Sequence, residues 1–422
     1  MKKHFGYAAT MATIMAATAP LAQADTATSG GGLKISSSDG EFEGTLGGRL
    51  HYDYASFSDD QIEDASTDGF YLRRAYLSLA GKLYGFEYKL ETDLSSDDPA
   101  GKDMWIGHEL FGGFLKLGHM QPAYGMEERT SSNDVLFAER PFISNNTLFS
   151  GREYQNGISY EYAGAGFTAM AVYYNVNTDA DKNASSAADG NGESVRLSYA
   201  PISGDRSTLH LGLSYDIADY DDVEVNPSPT ASARYVGRNG PRLALVGEGY
   251  DKQQTSTLEL AGSYGPFFVQ GEYSLASYET DGAADQDLTA YYVQASWFAT
   301  GETKPYKRDK GVFSNPKASG ALEFKLRYDF IKNDDAAGEP EATTVSAGVN
   351  YYFNPKVRFM LDYNIGSAEA GADVATTPVP SLRVRSSLSE FAPYGFARSG
   401  CHAGPRLFAF PDRVVAVRHP AG

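Results

Sequence analysis

Polar and apolar side chains trade places at every second position through most of this chain. In 322–330, Leu322, Phe324, Leu326, Tyr328 and Phe330 alternate with Glu323, Lys325, Arg327 and Asp329. In 86–94, Phe86, Tyr88, Leu90 and Leu94 alternate with Glu87, Lys89, Glu91 and Asp93; in 42–54, Leu46, Leu50, Tyr52 and Tyr54 oppose Thr45, Arg49, His51 and Asp53. Two is the period of a β-strand, whose successive side chains point to opposite faces; a helix would carry these charges onto its apolar side. Fifteen segments read this way: near 42–57, 70–82, 86–94, 103–110, 113–120, 153–162, 166–176, 193–200, 207–217, 254–264, 267–279, 291–299, 321–330, 343–353 and 356–366.

Most segments run to about ten residues, which at a tilt of about 45° crosses a hydrocarbon layer about 30 Å thick. Tyrosine recurs at their ends, as in Tyr52, Tyr162, Tyr215, Tyr264 and Tyr351, where an amphipathic ring sits at the level of lipid headgroups. A soluble sandwich also alternates, but from strands of about 5–6 residues. The pattern therefore predicts an all-β fold, a transmembrane antiparallel β-barrel spanning 42–375. A mean hydropathy of −0.38, with no apolar run long enough for a spanning helix, excludes a polytopic helical membrane protein. A formal charge of −18 argues against nucleic acid as a partner.

The two ends differ from this body. Lys2 and Lys3 precede an apolar stretch closing on Ala22-Gln23-Ala24, so residues 1–24 read as a signal peptide for Sec-type export and 25–41 as a periplasmic N-terminal segment. The only cysteine is Cys401, so no disulfide framework is expected. Bacterial barrels have even strand numbers, so fifteen recognisable strands call for a sixteenth. Residues 376–422 carry six of the 19 prolines, six Arg and no Lys, and no clean alternation. The expectation is an altered closing strand and an atypical tail read out of frame; a distorted strand around 382–390 is the alternative.

Short joins such as Phe111-Gly112, Gly265-Pro266 and Asn354-Pro355 alternate with long polar ones at 58–69, 177–191, 218–253 and 331–342, as expected of an outer-membrane barrel. Two connections break the pattern. Residues 121–151 are too long for a hairpin and are read either as a loop folded into the lumen or as a mobile external loop. Residues 300–320 fall on the short-turn side yet hold five basic residues, Lys304, Lys307, Arg308, Lys310 and Lys317, against two acidic ones. Such a cluster either attracts an anion or is a solvated turn.

Leu46-Gly47-Gly48-Arg49-Leu50, Arg73-Arg74-Ala75-Tyr76-Leu77, Lys116-Leu117-Gly118, Gly125-Met126-Glu127, Thr130-Ser131-Ser132, Ala138-Glu139-Arg140, Gly301-Glu302 and Tyr306-Lys307 occur in an order that resembles the phosphate-selective porins O and P, over about 40–370. The resemblance implies a trimeric 16-stranded barrel in the outer membrane of a Gram-negative bacterium, passing small anions such as phosphate. It also implies roles: Arg49, Arg73 and Arg74 as a ladder, Lys307 and Lys317 on a turn within the pore, and Arg234, Arg238 and Arg242 as an arginine run in the fifth loop. Arg129, Arg140, Lys304 and Lys310 complete the expected anion pathway. The chain departs from the family at Glu128, where phosphate-selective members have a lysine, and Arg129 follows; a weakly selective small-solute porin is the alternative.

Arginine suits this task because its planar fork bonds an oxyanion through two parallel N–H groups, whereas lysine is a compact point charge. Inward parity alone places ten basic and twelve acidic residues on the strands, so any anion preference depends on where cations cluster. Lys307 and Lys317 are expected to govern it more than the strand residue Lys325. No His-Glu-x-x-His, phosphate-loop or Cys-x-x-Cys motif is present, so no catalytic residue, metal or cofactor is expected. A polyanion-capturing barrel, or a hydrolase built on inward His51 or His210, are the competing functions.

Overall fold

The fold follows from the alternation. The computed structural model describes residues 24–29, 32–57, 68–96, 99–144, 148, 154–176, 190–220, 231–234, 242–246, 249–371 and 373–389, and the signal-peptide reading of 1–23 lies outside them. All described residues belong to the unit Met1–Phe391.

Sixteen long strands run in chain order: β1 (Phe42–Ala55), β2 (Gly69–Leu83), β3 (Phe86–Asp93), β4 (Ala100–Leu110), β5 (Gly113–Met120), β6 (Gln155–Gly164), β7 (Phe167–Asn175) and β8 (Asn191–Ser203). They continue as β9 (Ser207–Asp219), β10 (Lys252–Tyr264), β11 (Phe267–Glu279), β12 (Gln286–Phe298), β13 (Ala321–Asn333), β14 (Glu341–Asn354), β15 (Val357–Ala370) and β16 (Asp373–Ser389). Each pairs antiparallel with the next, and β16 pairs in turn with β1, from Ser381 opposite Ala55 to Ser389 opposite Gly48. Before β1, Ala24–Ser29 and Gly32–Ser37 form a hairpin whose second strand borders Glu43–Leu46.

β16 is the sixteenth strand that an even-numbered barrel calls for, and it begins earlier in the chain than the distorted strand around 382–390. Its prolines explain why the pattern hid it. Among the described residues, Pro378 and Pro380 are paired with β15 alone, because the partnership with β1 begins at Ser381. Proline lacks the N–H a central ladder needs but is tolerated where one side of the strand is open. Residues from 390 onward lie outside the described ones.

Burial is inverted relative to a water-soluble core. On β13, Glu323 and Lys325 are 0% and 3% exposed, whereas Leu326 between charged neighbours is 63% exposed. On β11 the outer row is Phe267, Val269, Tyr273 and Leu275, and the inner row Phe268, Gln270, Glu272 and Ser274. Apolar side chains therefore face out around the ring and charged ones face in, the arrangement of a strand between lipid and an aqueous lumen. Short joins at one end are two-residue hairpins. Tyr84-Gly85, Phe111-Gly112 and Ala165-Gly166 all carry positive φ at both positions, which matches the right-handed twist of the flanking strands.

Near the end with the long connections the inner row turns apolar. Tyr174, Tyr278, Leu288 and Ile331 pack there with Phe142, Ile143, Leu245 and Val246 from inserted segments.

Candidate functional site

Two segments occupy the inside of the ring. Residues 121–144, with the short helix α1 (Met126–Arg129), touch strands on opposite sides: Arg49 of β1 donates to Ser132 (2.9 Å), Ala123 N–H to Ser194 of β8 (2.8 Å), Phe142 N–H to Asp329 of β13 (2.9 Å) and Ala138 N–H to Asp362 of β15 (2.7 Å). Only a chain within the lumen reaches all four. Glu272 of β11 accepts from both Met126 N–H (2.7 Å) and Glu127 N–H (3.0 Å), the donors that a short helix leaves unsatisfied at its start.

The wall also donates to this loop. Lys325 bonds the Leu136 carbonyl (2.9 Å), Arg327 the Glu139 carbonyl (2.9 Å) and Arg358 the Asn133 and Val135 carbonyls (both 3.1 Å). Lys325 also meets Asp362 at 2.5 Å. Several of the inward acids and bases of the parity count are thus engaged in holding the loop.

The second insertion is the basic turn between β12 and β13, which carries the two-residue strands Tyr306–Lys307 and Val312–Phe313. Tyr306 donates to or accepts from His210 Nδ1 (2.7 Å), Phe313 lies against Phe268 (centroids 4.9 Å apart), and Asn315 Oδ1 accepts from Tyr352 (2.9 Å). Burial pushes the Tyr306 phenol up to about 12, so it stays neutral at ordinary pH. Asp134 joins the two insertions: it accepts from Lys307 (2.7 Å) and from Asn315 N–H (2.9 Å).

The expected pathway residues divide by surroundings. Arg49 bonds Ser132 and pairs with Glu91 at 3.4 Å. Arg73 is the extra residue of a bulge, since His51 is opposite Arg74 and Tyr52 opposite Leu72. A bulge re-aims a side chain, and Arg73 reaches Glu139 of the pore loop at 3.3 Å while Arg74 stays on the buried inner row. Arg129 donates to the Gln121 carbonyl (3.1 Å) and faces Glu161 at 3.8 Å. Arg140 donates to the Thr130 carbonyl (2.7 Å) and the Glu127 carbonyl, and faces Glu128 at 3.8 Å. Lys310 is half-buried on the inserted turn and Lys317 is exposed.

Lys304 is held differently from the other cations of the turn. It is 3% exposed, pairs with Glu323 at 3.3 Å and lies over the rings of Phe268 and Phe298, so it serves the turn's packing and presents little surface to a passing ion. Arg234 and Arg242 are register partners on a hairpin in the β9–β10 connection, whose Leu245 carbonyl accepts from Asn333 (2.7 Å); Arg238 lies outside the described residues. The two histidines considered as bases have other partners: His51 bonds the Asn133 side chain (2.9 Å), and His210 bonds Glu259 (2.9 Å) and Tyr306.

Further inward cations stand on the wall formed by β3 to β6. Lys89 pairs with Asp103 at 2.6 Å and Lys116 with Glu161 at 2.5 Å. Arg129 of the pore loop faces the same Glu161 carboxylate at 3.8 Å, so wall and loop bring two cations to one place. Inward parity marked Lys89 and Lys116, but their convergence depends on strands and insertions far apart in sequence.

A ring of strands, apolar outside and charged within, narrowed by two inserted segments, is the architecture of a porin. The chain belongs to the phosphate-selective porin O and P family, whose model matches residues 45–383. It is 30% identical to Porin O of Pseudomonas aeruginosa over 379 residues, covering 79% of this chain and 85% of that protein. The fold is also that of the anion-selective porin from Comamonas acidovorans, with a TM-score of 0.55 at 16% identity, covering 82% of this chain and all (100%) of that one. Vibrio cholerae OmpT in its trimer form gives a TM-score of 0.52 at 14% identity, covering 82% of this chain and 98% of that one. The protein is an outer-membrane porin of a Gram-negative bacterium.

Proposed function

We propose that this porin is a passive, anion-preferring channel whose favoured solutes are phosphate and short polyphosphates. The observation that carries the reading is the approach of wall, pore loop and basic turn: Lys116 and Arg129 meet at Glu161 (2.5 and 3.8 Å), and Lys307 of the turn meets Asp134 of the loop (2.7 Å). In a narrow passage with low-dielectric walls, fixed cations replace part of an anion's hydration, and throughput requires that they hold it weakly. Lys307, Lys310 and Lys317 on the turn, with Arg49, Arg73, Arg74, Arg129 and Arg140, form its approach. Family membership makes the chain a channel; transport by diffusion needs no cofactor and no chemical step.

The outer row of Leu, Val, Phe and Tyr supports contact with outer-membrane lipid, and the trimeric porin of similar fold supports a homotrimer. Heat-modifiable mobility of the detergent-folded protein tests assembly. A weakly selective pore is the second reading, favoured by Glu128 beside Arg129 and by carboxylates paired to Arg49, Lys89 and Lys116. Block of single-channel chloride current by phosphate and pyrophosphate decides between them: millimolar block of the open channel is expected, and equal currents with and without either anion would favour the second.

A further inference from the structure

We propose that Arg196, Glu259 and His210, on the neighbouring strands β8, β10 and β9, are a positioning unit for the inserted basic turn, fixing where Lys307 and Lys310 stand and so setting the strength of anion preference. All three are buried, with His210 at 0% and Arg196 and Glu259 at 4% exposure, so they act on a passing ion only through the turn.

The guanidinium of Arg196 has two sets of partners. Towards the wall, Nε and Nη2 donate to the two oxygens of Glu259, both at 2.7 Å. Towards the lumen, Nη1 donates to the Lys310 carbonyl (3.1 Å) and Nη2 to the Gly311 carbonyl (2.7 Å). Four bonds in a fixed plane use the donors that only arginine offers, and the carboxylate supplies the countercharge that burial demands. Glu259 in turn bonds His210 Nε2, and His210 Nδ1 bonds the Tyr306 hydroxyl. The turn is therefore held at 306 and at 310–311. Lys310 N–H and Gly311 N–H both donate to the Lys307 carbonyl (3.2 and 2.9 Å), so fixing those points fixes the backbone of Lys307 as well.

Two glycines make the fit possible. Gly212 on β9 has no side chain, and a Cβ there would strike the Glu259 carboxylate. Gly311 has φ of +61°, and a Cβ on it would strike Ser198 Oγ and come within 2.9 Å of Thr168 Oγ1. The turn's backbone thus lies directly on the inner wall of β7 and β8, and any side chain at 311 lifts it away.

The proposal rests on the anion-channel reading. The test uses the full chain folded in detergent and inserted in planar bilayers, with chloride-to-potassium permeability from reversal potentials in a KCl gradient. Arg196→Lys keeps the charge but loses the fork; Gly311→Ala alters no wall residue and is read in its place should Arg196→Lys not give a heat-modifiable barrel. Either is expected to lower the permeability ratio about threefold, the effect of moving two cations a few ångströms from the path, and to raise conductance. An unchanged ratio in a folded variant overturns the proposal. Cation preference in the unaltered channel would defeat the anion reading, while the difference between unaltered and variant channels still decides the positioning role.

Discussion

Asp134 holds Lys307 at 2.7 Å, and the lysine side chain keeps 30% of its surface exposed. An anion resting on that exposed side feels both charges. At about 7 Å from the Asp134 carboxylate, the repulsion is about 0.6 kcal/mol with the dielectric of water and about 2.4 kcal/mol at an effective dielectric of about 20. Asp134→Asn removes that repulsion while an amide oxygen remains to accept from Asn315 N–H. The ion pair itself is partly solvated and contributes about 0–1 kcal/mol, so the barrel should fold. Chloride-to-potassium permeability should rise about threefold to about fiftyfold, since about 1.4 kcal/mol is a factor of ten. Reversal potentials in a gradient between about 0.1 and 1 M KCl measure it, and the gain should shrink when both sides are raised to about 1 M, where the screening length is about 3 Å. A ratio that stays constant or falls in the variant refutes the reasoning, because it means Lys307 does not face the path.

Other outcomes follow from the same contacts. Glu272→Ala strands Met126 N–H and Glu127 N–H, so it should loosen the pore loop, raise single-channel conductance and lower stability by about 1–3 kcal/mol, seen as an earlier heat-induced mobility shift; wild-type conductance would show that the loop is held elsewhere. Lys325→Met leaves Asp362 buried without its cation and should lower barrel stability by about 3–5 kcal/mol in urea titration, with Asp362→Asn recovering much of it. Lys317→Glu, on the exposed part of the turn, should lower chloride preference more than Lys325→Met does; equal effects would remove its special role. Leu50→Cys with Ser386→Cys should form a disulfide on oxidation, because the two are register partners of β1 and β16; persistent free thiols in folded protein would contradict the sixteenth strand.

The strands were legible because lipid on one face and water on the other impose a strict period of two, and all fifteen expected segments are strands. The sixteenth was hidden because Pro378 and Pro380 interrupt the pattern where, among the described residues, β16 has β15 alone as neighbour, while Leu382 and Val384 against Arg383 and Arg385 keep a short trace of it. Charge pairing was illegible. Parity shows that Arg196, Glu259, Lys325 and Asp362 point inward, but whether an inward charge lines the path or grips an inserted loop is decided by chain segments a hundred or more residues away. The surroundings of Lys304 were illegible for the same reason, since membership of a basic cluster does not reveal a buried partner such as Glu323. The Arg73-Arg74 dipeptide was visible, but the bulge that lets Arg73 reach Glu139 is a property of its register with β1.

The central claim is that the cations carried by the inserted loop and turn outweigh the acids of the lumen along the ion path, despite a net charge of −18. The zero-current potential of the unaltered protein in a bilayer across a KCl gradient tests it most directly. The account predicts the sign given by chloride moving down its gradient; a potential of potassium sign would contradict it.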